Sequence, residues 1–285
     1  MKIGLIGLGK LGSAMAKRLD EQGHELIVYN RTLEKAEKSG FKYVKSPAEL
    51  AEKDVKQIII NVYDSKAVND ILGANNGLLE GNLKNKIIID TTTNHFDSVP
   101  NFHRLVKNGG GNYLEAPVIG SVIPAEKGML MIVVSGDIKA YEQARGVFDS
   151  LGSKIFHFPE TGKATKIKLI NNMVLASFMA TLSEAVSMAE KTGFSKDEAL
   201  DLLAVGAGES KILNAKKAKL LSGDFSPHFS TRALVKDLEY MEELAYSFQQ
   251  PALIGGLLKQ MYTMTGAKGN FNDDFAAIYD LINNN

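Results

Sequence analysis

Hydrophobic positions along the chain change their period near residue 160. Before it, short β-branched runs (KIGLIG, ELIVYN, QIIINV, KIIID, NYLEAPV, MLMIVVSG, KIFHF) read as strands, separated early on by amphipathic stretches such as SAMAKRLDEQG and LEKAEKSG. This alternation predicts a mostly parallel sheet covered on both faces. The later strands lie closer together, which predicts an antiparallel addition at one edge. After about Gly162 the strand pattern stops. Helical patterns then run over 164–192, 196–205, 210–221, 231–248, 252–265 and 273–282, punctuated by Gly193, Gly223, Pro227, Pro251 and Gly266. The first of these is long for a globular helix, long enough to span a domain junction. The expected organisation is an α/β domain over 1–162 and an all-helical domain over 163–285, ending in a short Asn-rich tail.

Composition narrows the function. The chain has 285 residues, enough for two domains, with 33 basic residues against 33 acidic ones. That balance gives no support for nucleic-acid binding or a basic membrane-facing surface. There are no cysteines, so disulfides, thiolate zinc sites and Cys nucleophiles are excluded, and no metal site is expected. No uninterrupted apolar run reaches the roughly 18 residues of a membrane span. Met1-Lys2 leads straight into the first strand, so no secretory leader is expected in these residues; the absence of cysteine fits a cytoplasmic chain, which is the expectation.

Gly7-Leu8-Gly9-Lys10-Leu11-Gly12 is a Gly-x-Gly-x-x-Gly placed after a predicted strand and opening a predicted helix. Gly7 suits the tight turn, Gly9 lets a pyrophosphate approach the backbone, and Gly12 lets helix and strand pack closely. The helix N-terminus then presents free amides to the phosphates. At the end of the second strand, where an acidic residue would accept from the ribose hydroxyl of NAD, stand Asn30, Arg31 and Thr32. A guanidinium there suits the 2′-phosphate of NADP, and the Thr32 hydroxyl adds a contact. The alternative is a solvated loop charge at Arg31.

Three further stretches carry candidate chemistry. In EAPVIGSVIPAEKGML, Pro117, Gly120 and Pro124 interrupt a strand, and Gly120 with Ser121 offers donors to a carboxylate; an ordinary turn explains the same residues. In GKATKIKLINNM, Lys168 and Asn172 are four apart and share a helix face. Lys168 lies among Ile167, Leu169, Ile170, Met173 and Val174, a setting in which a lysine commonly snorkels to solvent. Pointed instead into a closed site, it is a proton donor. In HFSTRALVKDLEYM, Lys236 and Asp237 are either a solvated pair or part of that site.

Together these motifs, in order and over nearly the full length, resemble the β-hydroxyacid dehydrogenase family, the group of 3-hydroxyisobutyrate dehydrogenases, tartronate semialdehyde reductases and glyoxylate/succinic semialdehyde reductases. The matching tokens are GLGKLGSAMAKRL, DTTT at 90–93, APVIGS, KLINN, and Phe229 followed by KDL. NRT and GSVIPAEKG look most similar to the NADPH-dependent glyoxylate/succinic semialdehyde reductase branch. The resemblance implies a Rossmann-like, doubly wound first domain and an all-α second domain. It implies NADP(H) as cofactor, with Val62, Tyr63, Thr93 and Lys236 joining the cradle and NRT residues around it. It further implies Lys168 as catalytic acid/base, Ser121, Gly120 and Asn172 as substrate-binding residues, and Phe229 and Asp237 as shaping the cleft. The implied reaction is reversible hydride transfer between NADPH and a small carboxylate-bearing aldehyde or hydroxy acid, in a homodimer or homotetramer.

Two positions depart from the family pattern. Ile119 stands where the family has Ser, and Gly162-Lys163-Ala164 stands where it has Gly-x-Gly. Two competing readings share the architecture. An imine reductase would generally lack the lysine at 168. A non-catalytic NADP-binding protein would tend to have lost it.

Overall fold

The computed structural model describes residues 1–283; the last two residues of the expected helical domain and Asn-rich tail, Asn284 and Asn285, lie outside the described residues. The chain divides into two compact units, Met1–Lys168 and the residues from Leu169 onward.

The first unit contains β1 (Lys2–Ile6), α1 (Lys10–Glu21), β2 (Glu25–Tyr29), α2 (Leu33–Glu37), β3 (Lys42–Tyr43), α3 (Pro47–Glu52), β4 (Gln57–Ile60), α4 (Ser65–Gly73), β5 (Ile87–Asp90), α5 (Val99–Asn108), β6 (Asn112–Glu115), β7 (Val118–Ile119), α6 (Val122–Glu126), β8 (Leu130–Ser135), α7 (Ile138–Leu151) and β9 (Gly152–Phe158). The strands form one sheet in the order β3-β2-β1-β4-β5-β6-β8-β7, with β9 added on β8. Strands β1 to β6 are mutually parallel. β8 runs antiparallel to β6 and β7, and β9 parallel to β8. This is the doubly wound sheet with an antiparallel edge that the pattern predicts.

Apolar runs without alternation build this sheet because both of its faces are buried. Ile59, Ile87 and Ile89 join one core cluster, packed with α1 and α7 residues such as Met15, Leu19, Val147 and Phe148. Their strand neighbours Ile58, Ile60 and Ile88 join the other, packed with Leu50, Val68, Leu72 and Phe102 of α3, α4 and α5. The period of two along each strand therefore separates two cores rather than core from solvent.

NYLEAPV, expected as one strand, is two. β6 stops at Glu115 and β7 holds only Val118–Ile119. Pro117 has no N–H to give a ladder, although its carbonyl still accepts from Val133.

Helix α8 (Lys163–Lys191) begins in the first unit and continues into the second. The second unit adds α9 (Lys196–Val205), α10 (Lys211–Ser222), α11 (Thr231–Ser247), α12 (Leu253–Ala267) and α13 (Ile278–Asn283). The helix expected over 273–282 forms only from Ile278. Two single 3₁₀ turns, Asn270–Asn272 and Phe275–Ala277, precede it. The reason is Asp274, whose carboxylate pairs with Lys216 and accepts from the amides of His228, Phe229 and Ala276. A carboxylate so engaged caps a turn instead of continuing a helix.

By length and composition α8 is also apolar enough to cross a membrane, with a mean hydropathy of 1.3 over 18 residues and 44% of that window buried. The expectation from uninterrupted runs excluded such a helix; an averaged hydropathy admits it because Ser and Thr lower the mean far less than charges do. The core helix of a soluble protein passes the same test.

Candidate functional site

In the first unit the glycine loop sits at the carboxyl ends of β1 and β4. Gly7 has φ +101°, and a Cβ there would lie 2.1 Å from the Asn61 carbonyl oxygen. A Cβ on Gly12 would lie 2.0 Å from the Gly7 carbonyl oxygen, so α1 can begin this close to β1 only without a side chain. Gly9 is different. It caps α1 at φ −72°, and a Cβ would meet nothing within 4 Å. Among the described residues nothing requires glycine at position 9, whereas a phosphate lying on that backbone does. The loop thus fits a dinucleotide pyrophosphate.

Asn30 has a role that the sequence does not show. Its Oδ1 accepts from the Leu8 amide at 2.9 Å, and its Nδ2 donates to the Thr32 carbonyl at 2.8 Å. The side chain ties the glycine loop to the end of β2, leaving Arg31 and Thr32 as the exposed groups there. Of the three residues, Asn30 positions and the other two face outward.

The ends of β4 and β5 share a buried polar network. Thr92 Oγ1 accepts from the Val62 amide at 3.1 Å, and Asn61 Nδ2 donates to Thr91 Oγ1 at 3.0 Å. Asp90 anchors it, accepting from Thr92 N at 2.9 Å, Asn94 Nδ2 at 2.6 Å and Tyr113 Oη at 2.5 Å. Burial pushes the Asp90 carboxyl above the usual carboxylate range, against the pull of its three donors. Burial also pushes the Tyr113 hydroxyl well up, with the Asp90 charge acting in the same direction. The network holds Val62 in place and borders Thr93; Tyr63 is exposed beside Val62. The motif DTTT points to Thr93, whereas nothing local in the sequence marks Tyr113 and Asn94 as partners of Asp90.

Gly120 and Ser121 form the turn from β7 into α6. Gly120 has φ +132°, and a Cβ would press on Leu130 at 2.8 Å, so this position also demands glycine. Ile119, the departure from the family pattern, is a ladder residue opposite Met131.

The start of α8 is held by acceptors from the sheet. Glu115, at the end of β6, accepts from the Gly162 amide, from Thr165 N at 2.9 Å and from Thr165 Oγ1 at 2.6 Å. Ser135 Oγ accepts from Ala164 N at 2.9 Å. The sequence Gly162-Lys163-Ala164 therefore does not delay the helix, which begins at Lys163.

The burial pattern along the first half of this helix runs against its apolar positions at several places. Thr165, Lys168 and Asn172, at i, i+3 and i+7, are 1%, 8% and 0% exposed, while Ile167, Ile170, Val174 and Phe178 are 40–50% exposed. Lys168 does not snorkel. It lies on a buried side that mixes these polar groups with Ala164, Leu169, Ala176 and Met179, while Ile167 and Ile170 sit outside.

In the second unit Asn172 Nδ2 donates to Asp237 Oδ2 at 2.6 Å, and Lys236 Nζ donates to Asp237 Oδ1 at 2.7 Å. Lys236 also lies 4.7 Å from the Tyr240 ring centre. Lys236 and Asp237 are buried, so the solvated-pair alternative is corrected: adjacent on α11, they form a buried ion pair. Phe229 packs edge-on against Phe275 at 5.9 Å, its amide held by Asp274.

Comparison with known proteins agrees with this geometry. Residues 2–159 match the family model described as the NAD binding domain of 6-phosphogluconate dehydrogenase. Residues 162–282 match that described as NAD-binding of NADP-dependent 3-hydroxyisobutyrate dehydrogenase. The chain is 34% identical over 279 residues to the cytokine-like nuclear factor N-PAC of Mus musculus, covering 98% of this chain and 50% of that protein. It thus spans about half the length of the curated relatives of that name. It is 30% identical to glyoxylate/succinic semialdehyde reductase 1 of Arabidopsis thaliana, over 99% of this chain and 98% of that one. Among solved structures, the 3-hydroxyisobutyrate dehydrogenase of Mycobacterium tuberculosis with L-serine superposes with a TM-score of 0.86 at 25% identity, over 99% of this chain and 98% of that one.

Proposed function

The chain belongs to the 3-hydroxyisobutyrate dehydrogenase-like family of β-hydroxyacid dehydrogenases, and from that premise we propose that it is an NADPH-dependent reductase of small carboxylate-bearing aldehydes, such as semialdehydes and 2-oxo acids. The observation that carries this reading is the buried lysine beside Thr165 and Asn172 on α8. A lysine 8% exposed beside buried Thr165 and Asn172, with isoleucines turned outward, holds its ammonium inside the protein, where a bound carbonyl can receive its proton.

When bound, a nicotinamide dinucleotide supplies the hydride. The Gly7, Gly9 and Gly12 loop, with Lys10 and Leu11 at the start of α1, holds its pyrophosphate. Arg31 and Thr32 favour the form with a 2′-phosphate, because no carboxylate stands at the end of β2 to repel it. Val62, Tyr63 and Thr93 border the nicotinamide half. Gly120 and Ser121 hold the substrate carboxylate, and Asn172, fixed by Asp237, orients the substrate. Lys168 gives its proton to the carbonyl oxygen as negative charge develops there. General acid help of this kind is worth about 10²–10⁴-fold. Two comparisons support the substrate class: the plant relative is named for glyoxylate and succinic semialdehyde, and the mycobacterial structure carries L-serine, a small β-hydroxy carboxylate. The exposed stripe Ile167, Ile170, Val174 and Phe178 supports a homo-oligomer as the working state.

A steady-state screen tests the proposal: glyoxylate and the succinic, tartronic and methylmalonic semialdehydes, each with NADPH and NADH, beside a cyclic imine. Turnover of a semialdehyde with preference for NADPH is expected. Turnover of the imine alone would identify an imine reductase. Cofactor binding without turnover on any substrate would identify a non-catalytic binding protein.

A further inference from the structure

We propose that Glu115 is a positioning residue for Lys168, acting through the first turn of α8. A long helix leaves its first amides without internal partners and carries partial positive charge at that end. In α8 these amides are satisfied from the sheet. The Glu115 carboxylate takes Gly162 N, Thr165 N and Thr165 Oγ1, and Ser135 Oγ takes Ala164 N. Glu115 is 1% exposed and ends β6, a central strand bonded to β5. Its carboxylate is held rigidly, and with it the rotation and height of the helix start.

Lys168 stands three residues past Thr165 on the same face. A slip of the first turn, or its fraying, moves that ammonium directly. The carboxylate also replaces what Gly162-Lys163-Ala164 lacks, since none of these residues has a side chain that can cap. His103 Nε2 lies 3.8 Å from Glu115 Oε1 and has no hydrogen-bond partner among the described residues, so Glu115 spends its bonds on the helix and not on the imidazole.

The inference rests on the reading of Lys168 as proton donor, and its test separates the two. Parent, Glu115→Gln, Thr165→Val and Lys168→Ala are compared for thermal melting, NADPH binding by fluorescence, kcat and KM for succinic semialdehyde, and the solvent deuterium isotope effect on kcat. Glu115→Gln is expected to lower kcat about tenfold, leaving KM and the NADPH dissociation constant within about twofold. Its solvent isotope effect is expected to rise, because a misplaced donor makes proton transfer more rate-limiting. Loss of folded protein alone would lower the rate without changing the isotope effect. Should Glu115→Gln fail to fold, Thr165→Val carries the test with a smaller kcat loss of the same character. Parental kcat and isotope effect in the variant that folds would overturn the assignment of Glu115. Parental turnover in Lys168→Ala would instead overturn the underlying reading.

Discussion

Two glycines of one loop should respond in opposite ways to the same added methyl group. At Gly12 an alanine Cβ would lie 2.0 Å from the Gly7 carbonyl oxygen. Even a close C–H···O contact needs about 3.3 Å, so β1 and α1 must separate by about 1 Å at their tightest approach. The obstacle is backbone and cannot rotate away. A cost of about 3 kcal/mol follows, at the upper end for overpacking, which lowers Tm by about 6–12 °C for a domain of this size. At Gly9 the methyl group meets nothing within 4 Å, and φ is −72°, a conformation alanine adopts freely. Gly9→Ala should therefore stay within about 1 kcal/mol of the parent. Its methyl group instead occupies the lane in which the pyrophosphate approaches. NADPH binding should weaken at least about tenfold, or ~1.4 kcal/mol. Thermal melting and fluorescence titration of NADPH on both variants decide the matter. A Gly12→Ala protein that melts with the parent, or a Gly9→Ala protein that binds NADPH like it, would refute the reasoning.

Arg31→Ala should raise the NADPH dissociation constant by about 10–100-fold, the loss of a charged hydrogen bond worth roughly 1.5–3 kcal/mol, and leave NADH binding unchanged; titration with both cofactors checks it. The hydroxyls of Tyr113, Tyr262 and Tyr279 all have pKa values raised in the folded state, burial being the first cause in each. A raised folded pKa favours folding below the ordinary tyrosine pKa near 10, and that contribution is lost as pH rises through it. In an ultraviolet titration, three of the nine tyrosines should ionise only as the protein unfolds, and smooth ionisation of all nine in the folded state would contradict the burial argument.

Much of the fold is legible in the sequence because its strands are buried on both faces and read as short apolar runs between turn residues. Pro117 marks a break in the strand pattern, but the apolar run of NYLEAPV does not show that the chain resumes pairing at Val118. The late start of the last helix, at Ile278, is not legible because the partners that draw Asp274 into a turn, Lys216 and the amides of 228 and 229, lie far away in sequence. The candidate site was partly legible for the same reason. Glycines that a turn requires declare themselves locally. Glu115, Tyr113 and Asn94 do not, because their tasks are set by neighbours brought in from other strands and helices. Lys168 was the instructive case. Periodicity set it among apolar residues and favoured an outward ammonium, whereas the structure buries it beside Thr165 and Asn172 and exposes Ile167 and Ile170. Which of these residues face inward can be seen only once it is known which side is inside.

The most direct measurement is single-turnover oxidation of NADPH by succinic semialdehyde, comparing the parent with Lys168→Ala after NADPH binding has been shown equal in both. Removal of the proton donor should slow the step by about 10²–10⁴-fold with the cofactor still bound. Equal rates in the two proteins would contradict the assignment of Lys168 as the acid.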